Sequence, residues 1–304
     1  MLDTIRVKFP IAPTAEQLKG WTQRTTRTQT GESTVYIYNP VVCETTLRFT
    51  FRPVDYTGNP MLSLEFSLPK LVFDNNYQML GSIDGSIKMA NIQLTDIPHV
   101  PHLDLGEGVL IRLDMCYNHQ VGDAVDDYIK AIGNLDYPHR RTKYHRYEGA
   151  EFRAKHKTTK FYNKEHESGY LEAHGILRQE ITMLNPKDIQ KFTGKSKPTL
   201  LDVSSEQIAD ELRNDLEKLG LLNNSIANQD TAMKTLCEEH GEYAGFYYWA
   251  MLKNKTQKTR KRITKESKMH PRSIDRKLRK IVDTGIPLTL TDREEPLPPL
   301  CIDL

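Results

Sequence analysis

The stretch Gly108-Val-Leu-Ile-Arg-Leu-Asp-Met-Cys-Tyr117 decides how this chain is read. Eight of its ten residues are apolar or aromatic when glycine is counted, and Arg112 and Asp114 interrupt the run two positions apart. That pattern predicts a strand, and it places both charges on one face. Working outward, Ser33–Asn39, Thr45–Phe51 and Leu62–Ser67 alternate and are rich in β-formers. The last of these is expected to stop at Leu68-Pro69. Ser86–Met89 and Ile92–Leu94 read as weaker strands. Downstream, Thr159–Tyr162 and Ile176–Met183 read as strands, and Gly122–Asn134 has helical spacing. An antiparallel-rich α+β domain is the expectation for residues 1–195.

After Pro186 the pattern turns helical. Ser204-Ser-Glu-Gln207 is a capping box that opens a helix with Ile208, Leu212, Leu216 and Leu219 on one side. A second helix is expected from Gln229 to His240, and Tyr243–Leu252 is expected to be buried. The polar stretch Lys195–Pro198 is the expected boundary. Residues 196–286 are then expected to form a helical domain, and the proline-rich tail 287–304 is expected to lack regular structure.

The 304 residues carry a net charge of +2 and no long apolar run, so a membrane span is not expected. The first residues lack an apolar signal core, and the four cysteines lie far apart. A reduced, cytoplasmic setting follows as an expectation. The charge is strongly polarised. From Lys253 to Lys280 there are thirteen Lys/Arg against Glu266 and Asp275, a net of +11, which leaves −9 on all other residues. Such a block suits a polyanion. Within it, 262–267 and 273–282 read as two short helices around a turn at Lys268–Pro271. Ile274, Leu278, Ile281 and Val282 are expected on one face of the second, with basic residues on the others. This helix-turn-helix pattern, with Arg260, Lys261, Arg262, Arg272, Arg276, Lys277, Arg279 and Lys280 as DNA contacts, points to duplex DNA.

Three acids sit mid-strand among large apolar residues: Glu65, Asp114 and Glu180. Burying an unpaired carboxylate is costly, so such acids either face solvent or serve a site. Together they could hold a hard divalent cation. Tyr162 and Lys164 are two apart, so on one strand they would share a face. A neighbouring ammonium would help a phenol act as a nucleophile.

In order along the chain, Leu64-Glu-Phe-Ser-Leu-Pro-Lys-Leu-Val-Phe-Asp-Asn-Asn76, Ile111-Arg-Leu-Asp114, Phe161-Tyr-Asn-Lys-Glu-His-Glu167 and Leu177-Arg-Gln-Glu-Ile181 resemble the filamentous-phage gene II protein family of replication initiators and the related rolling-circle plasmid initiators. The resemblance spans roughly residues 62–194. It implies an endonuclease that nicks one strand of origin DNA and stays joined through a 5′-phosphotyrosine, leaving a 3′-OH primer. Tyr162 falls at the nucleophile position, and Asp114, Glu180 and Glu65 fall at acidic positions holding Mg²⁺ or Mn²⁺. Lys164, Arg178, Arg112 and Glu167 are accompanying phosphate or supporting groups. Origin DNA, duplex and single-stranded, a host helicase and polymerase, and a second copy of the chain are the implied partners, in a bacterial cytoplasm. Many rolling-circle nucleases hold metal through a His-hydrophobic-His triplet, and none of the ten histidines forms one. His99-Val-Pro-His102 comes nearest, but Pro101 suits a turn. The alternative is a sequence-specific DNA-binding regulator without catalysis. A tyrosine recombinase is disfavoured by the strand-rich half.

Overall fold

The computed structural model describes residues 1–28, 31–55, 58–145, 148–257 and 260–303. The fold is mixed α+β, with a large antiparallel sheet and several C-terminal helices. In chain order the elements begin with β1 (Leu2–Phe9), α1 (Ala15–Leu18), β2 (Thr22–Thr28), β3 (Gly31–Tyr38), β4 (Val41–Val42), β5 (Thr45–Thr46), β6 (Arg48–Arg52) and β7 (Met61–Ser67). Then come α2 (Leu68–Phe73), α3 (Ile83–Thr95), β8 (Val109–Gln120), α4 (Val125–Gly133), β9 (Arg141–His145), β10 (Gly149–Arg153) and β11 (Lys157–Asn163). After α5 (Lys164–Ser168) and β12 (Ile176–Met183), the rest is helical: α6 (Pro186–Thr193), α7 (Ser205–Leu219), α8 (Gln229–His240), α9 (Glu242–Gln257), α10 (Arg260–Ser267) and α11 (Pro271–Val282).

The chain divides into two compact units, each built from two separate segments. The first comprises residues 1–116 and 181–208. Its strands run in the order β2-β3-β6-β7-β1-β8. Alternation sets the faces: Ile5, Val7 and Phe9 of β1 and Leu62, Leu64 and Phe66 of β7 are buried, while Arg6, Lys8, Ser63 and Glu65 point the other way. The segment 86–94, expected as strand, is instead the body of α3. Ser82 caps that helix by accepting from Gly85 N, and Ile83, Ile87, Ala90 and Leu94 bury one helical stripe. Short β-like runs inside it mislead because the decisive spacing is three to four, not two. Likewise Leu68-Pro69 does not merely stop β7. Proline sits in the first turn of α2, where its missing N–H costs nothing. The stretch 195–198 lies within this unit, and the Pro198 carbonyl accepts from Leu110 N at 2.7 Å.

The second unit comprises residues 117–180 and 209–304. Its strands run in the order β12-β11-β10-β9. α7 contributes Asp215, fully buried, which accepts from the Tyr137 hydroxyl at 2.6 Å and from Thr159 of β11. Arg140 donates to Thr159 at 2.5 Å and lies 3.8 Å from the Tyr137 ring centre. Burial first, and then the neighbouring Asp215 carboxylate, push the Tyr137 phenol well above its ordinary range. This satisfied polar network ties the helix to β11. Ser204 and Gln207 form the expected capping box, and Gly220, at φ 71°, ends the helix in the left-handed region. α8 to α11 share one core that includes Leu236, Leu252, Ile263, Ile274, Leu278 and Ile281. Each such side chain contributes about 2 kcal/mol on burial. The tail after Pro287 has no helix, yet it is packed: Leu297 and Leu300 are buried and bridge to Ile226 and Leu222, and the Pro298 carbonyl accepts from Tyr128 at 2.6 Å. Among the described residues no helix is long and apolar enough to cross a membrane.

Candidate functional site

β11 turns Thr159 and Phe161 into the core, which leaves Lys160 and Tyr162 on the opposite face. The neighbouring strand places Gly149 directly across from Tyr162. A Cβ at Gly149 would lie 2.6 Å from the Phe161 carbonyl oxygen and 2.9 Å from Tyr162 Cβ. Only glycine therefore fits without displacing the tyrosine's strand. On β12, Glu180 reaches Tyr162: the phenol donates to Oε2 at 2.9 Å, and Lys160 Nζ stands 3.6 Å from Oε1. The Glu180 side chain is 11% exposed. A carboxylate hydrogen-bonded to a phenol can accept its proton, and an ammonium beside the carboxylate stabilises its charge.

The cation that shares the face of Tyr162 is thus Lys160, which sequence reasoning passed over, and not Lys164. β11 ends at Asn163, whose side chain caps α5 by accepting from His166 N. Lys164 therefore belongs to a helix, and strand alternation does not apply to it. It is fully buried, pairs with Glu167, and its ammonium lies 5.8 Å from the centre of the Tyr162 ring. Extending the period-two reading backward from Tyr162 instead of forward would have found Lys160. Arg178 is also fully buried, and its Nε donates to Asn118 Oδ1 at 2.8 Å. Tyr147, a neighbouring tyrosine, lies outside the described residues.

One position beyond Arg178 is a second buried pair. His119 Nε2 and Gln179 Oε1 are 3.2 Å apart, and Gln179 in turn donates to the Leu212 carbonyl. Burial depresses the His119 pKa to about 4. The folded imidazole stays neutral down to that pH, whereas in the unfolded chain it protonates near pH 6.5. Acidification from about pH 6.5 to about pH 4 is therefore expected to remove stability, on the order of 3 kcal/mol from this group. Urea midpoints measured across that window should fall for the natural chain and flatten for His119→Asn. Parallel slopes for the two proteins would show that His119 titrates normally in the folded state.

In the first unit, Glu65 and Asp114 are gathered by arginines. Register sets Arg48 across from Glu65, Glu65 across from Arg6, and Arg6 across from Arg112. Glu65 pairs with Arg6 and, at 2.8 Å, with Arg112 Nη1. Arg112 also holds both oxygens of Asp114, at 3.1 Å from Nε and 2.6 Å from Nη2. Two carboxylates are thereby matched by two guanidiniums in partly buried surroundings. A hard cation at Glu65 and Asp114 would have to share their oxygens with these guanidiniums or displace them. Among the described residues no group of three or more His, Cys, Asp or Glu side chains is placed to hold a metal ion.

The basic block forms the two expected helices, α10 and α11. Pro271 sits in the first turn of α11, and the His270 side chain caps it by accepting from Arg272 N. Ile274, Leu278 and Ile281 are buried as expected, but Val282 is 44% exposed because it falls one step past the stripe at the helix end. Arg272, Arg276, Arg279 and Lys280 are exposed. Lys277 is half-buried and donates to the Tyr247 hydroxyl at 2.5 Å. The side chains of Arg260, Lys261 and Arg262 lie outside the described residues. The expected burial of Tyr243–Leu252 holds only for part of α9. Leu252 is buried, but Tyr243 is 96% exposed and Phe246 57%.

No family model, curated protein or solved structure matches this chain. The geometry of the side chains is therefore what speaks for its chemistry.

Proposed function

We propose that the chain is a rolling-circle replication initiator, an endonuclease and rejoining enzyme that nicks origin DNA through Tyr162. The observation that carries this reading is the 2.9 Å hydrogen bond from the Tyr162 hydroxyl to Glu180, with Lys160 beside the same carboxylate. Glu180 takes the phenol proton as the tyrosine oxygen attacks the phosphorus of a phosphodiester. The new bond joins tyrosine oxygen to the 5′-phosphate. The bond that breaks releases the 3′-oxygen, which leaves as a hydroxyl after taking a proton from solvent. Because one phosphodiester replaces another, a 3′-OH can reverse the step and rejoin the strand. Lys160 offsets charge on the phosphate.

Exposed Arg272, Arg276, Arg279 and Lys280 on α11 supply duplex binding in this reading, with α10 and α11 as a helix-turn-helix. Replacing Arg272, Arg276 and Arg279 by Ala is expected to weaken origin binding and to lower the slope of log affinity against log salt by about 0.9 for each phosphate no longer neutralised. Filter binding at several salt concentrations measures it, and an unchanged slope removes the helix from the interface. A host helicase and polymerase acting at the released 3′-OH, and a second copy of the chain at the origin, belong to the same proposal.

The direct test of the chemistry is mass spectrometry of the peptide left on a labelled, origin-bearing single strand after cleavage with and without Mg²⁺ or Mn²⁺. A DNA-modified peptide centred on Tyr162 supports the proposal. Origin binding with no adduct under either condition favours the second reading, a DNA-binding regulator without catalysis. The neutralisation of Glu65 and Asp114 by arginine is the observation on that side.

A further inference from the structure

Helix α9 carries an aromatic face that its own core leaves uncovered. Tyr243, Phe246 and Tyr247 are 96%, 57% and 39% exposed, and Trp249 is half-buried. Spacings of three and four set Tyr243, Phe246 and Tyr247 along one side of the helix, with Trp249, one turn beyond Phe246, turned toward the core. The Phe246 and Trp249 ring centres are 5.3 Å apart, tilted by 38°. Cations punctuate the row. Lys253 Nζ stands 5.0 Å from the Trp249 ring centre, and Lys277 Nζ of α11 stands 4.1 Å from that of Tyr247. Glu242, in the first turn where the helix dipole favours it, is the single acid of α9. Past Tyr247 the face opens into a groove of about 380 Å³, lined by Ala250, Met251, Asn254, Ile263 and Met269 among others.

We infer that this face is a stacking platform for a single-stranded nucleic acid. Charge and ring geometry argue for that occupant together. Exposed rings offer π-faces, and a single strand has bases free to stack on them, whereas a duplex hides its base faces. Rings flanked by the Lys253 and Lys277 ammonium groups, immediately before the most basic stretch of the chain, suit a partner that alternates aromatic bases with phosphates. An apolar protein partner would gain nothing from cations at that spacing. The inference rests on the nucleic-acid reading above for the class of ligand, but not on the chemistry of Tyr162.

The test uses the full chain carrying Tyr162→Phe, so that no adduct forms, and measures fluorescence anisotropy with labelled oligothymidylate, oligouridylate and a duplex of arbitrary sequence. Tyr243→Ala with Phe246→Ala is expected to weaken oligonucleotide binding by about tenfold or more and to leave duplex binding unchanged. Both residues are exposed, so folding is not at stake. Tryptophan at both positions should retain binding, and leucine at both should lose it as alanine does. The thymidylate and uridylate arms tell whether the platform holds DNA, RNA or either. Unchanged affinity in the alanine variant overturns the inference. So does full affinity in the leucine variant, which would mark an apolar protein-docking face, or an equal loss on duplex. A chain that binds the strand through these rings but never forms an adduct keeps the platform and removes the endonuclease. An adduct formed without any contribution from these rings does the reverse.

Discussion

Tyr162→Phe is expected to abolish covalent attachment to a labelled origin strand, a loss of more than about 10³-fold in adduct formation, with duplex binding within about twofold of the natural chain. The substitution removes one oxygen. Glu180 keeps Lys160 as a partner at 3.6 Å, so the cost in stability is that of one hydrogen bond, about 1 kcal/mol. Loss of the adduct would therefore report chemistry and not unfolding. Denaturing electrophoresis of the labelled strand reads it directly. If the phenylalanine variant forms adduct at the natural rate, the nucleophile lies elsewhere. Tyr170, 36% exposed, would be the next position to replace, followed by Tyr147.

The second large effect concerns stability. Arg112 grips both oxygens of Asp114, whose side chain is 3% exposed, and also one oxygen of Glu65. Arg112→Ala withdraws that guanidinium from a carboxylate that cannot turn to water. A loss of about 3–5 kcal/mol is expected in urea unfolding, the range for breaking a buried pair from one side. Adding Asp114→Asn should restore a large part of it, since the amide leaves no charge to compensate. A loss of about 1 kcal/mol or less, the range of exposed ion pairs, would show that Asp114 does not depend on Arg112. The outcome also bears on metal chemistry. Should Mg²⁺ or Mn²⁺ stabilise the Arg112→Ala chain and not the natural one, the acids would be shown able to take a cation once the arginine is gone.

Part of the strand pattern is legible because one-sided burial imposes period two, which β6, β7 and β11 follow closely, whereas β8 and β12 are legible as long apolar runs, β12 being buried at every position. β1 alternates over Ile5-Arg-Val-Lys-Phe9 yet is absent from the strands read in the sequence, and β2, β9 and β10 carry no such alternation, although each is a real ladder partner. β2, Thr-Gln-Arg-Thr-Thr-Arg-Thr, has no apolar side chain at all and is a strand through its pairing with β3. α3 reads wrongly as strand because its helical stripe contains short runs that alternate by chance. The tyrosine and its carboxylate are both identifiable from sequence, and the structure brings them into contact. The lysine is misplaced by four positions, because nothing in Tyr-Asn-Lys says that Asn163 ends a strand and caps a helix.

Local sequence thus determined which segments extend, which coil, and where charge accumulates, since propensity, capping and hydrophobic period act over a few neighbouring residues. Three matters were left to tertiary structure. One was whether the mid-strand acids stand bare or neutralised, which depends on cross-strand register setting Arg6 and Arg112 against Glu65 and Asp114. Another was which apolar faces stay uncovered. A helix such as α9, aromatic on several sides, can bury only the side its partners α8, α10 and α11 reach, and the surplus rings remain in water. The last was how distant segments combine: residues 181–208 join the first unit and residues 209–304 the second, because long-range burial is contributed by whichever surfaces meet, not by order along the chain.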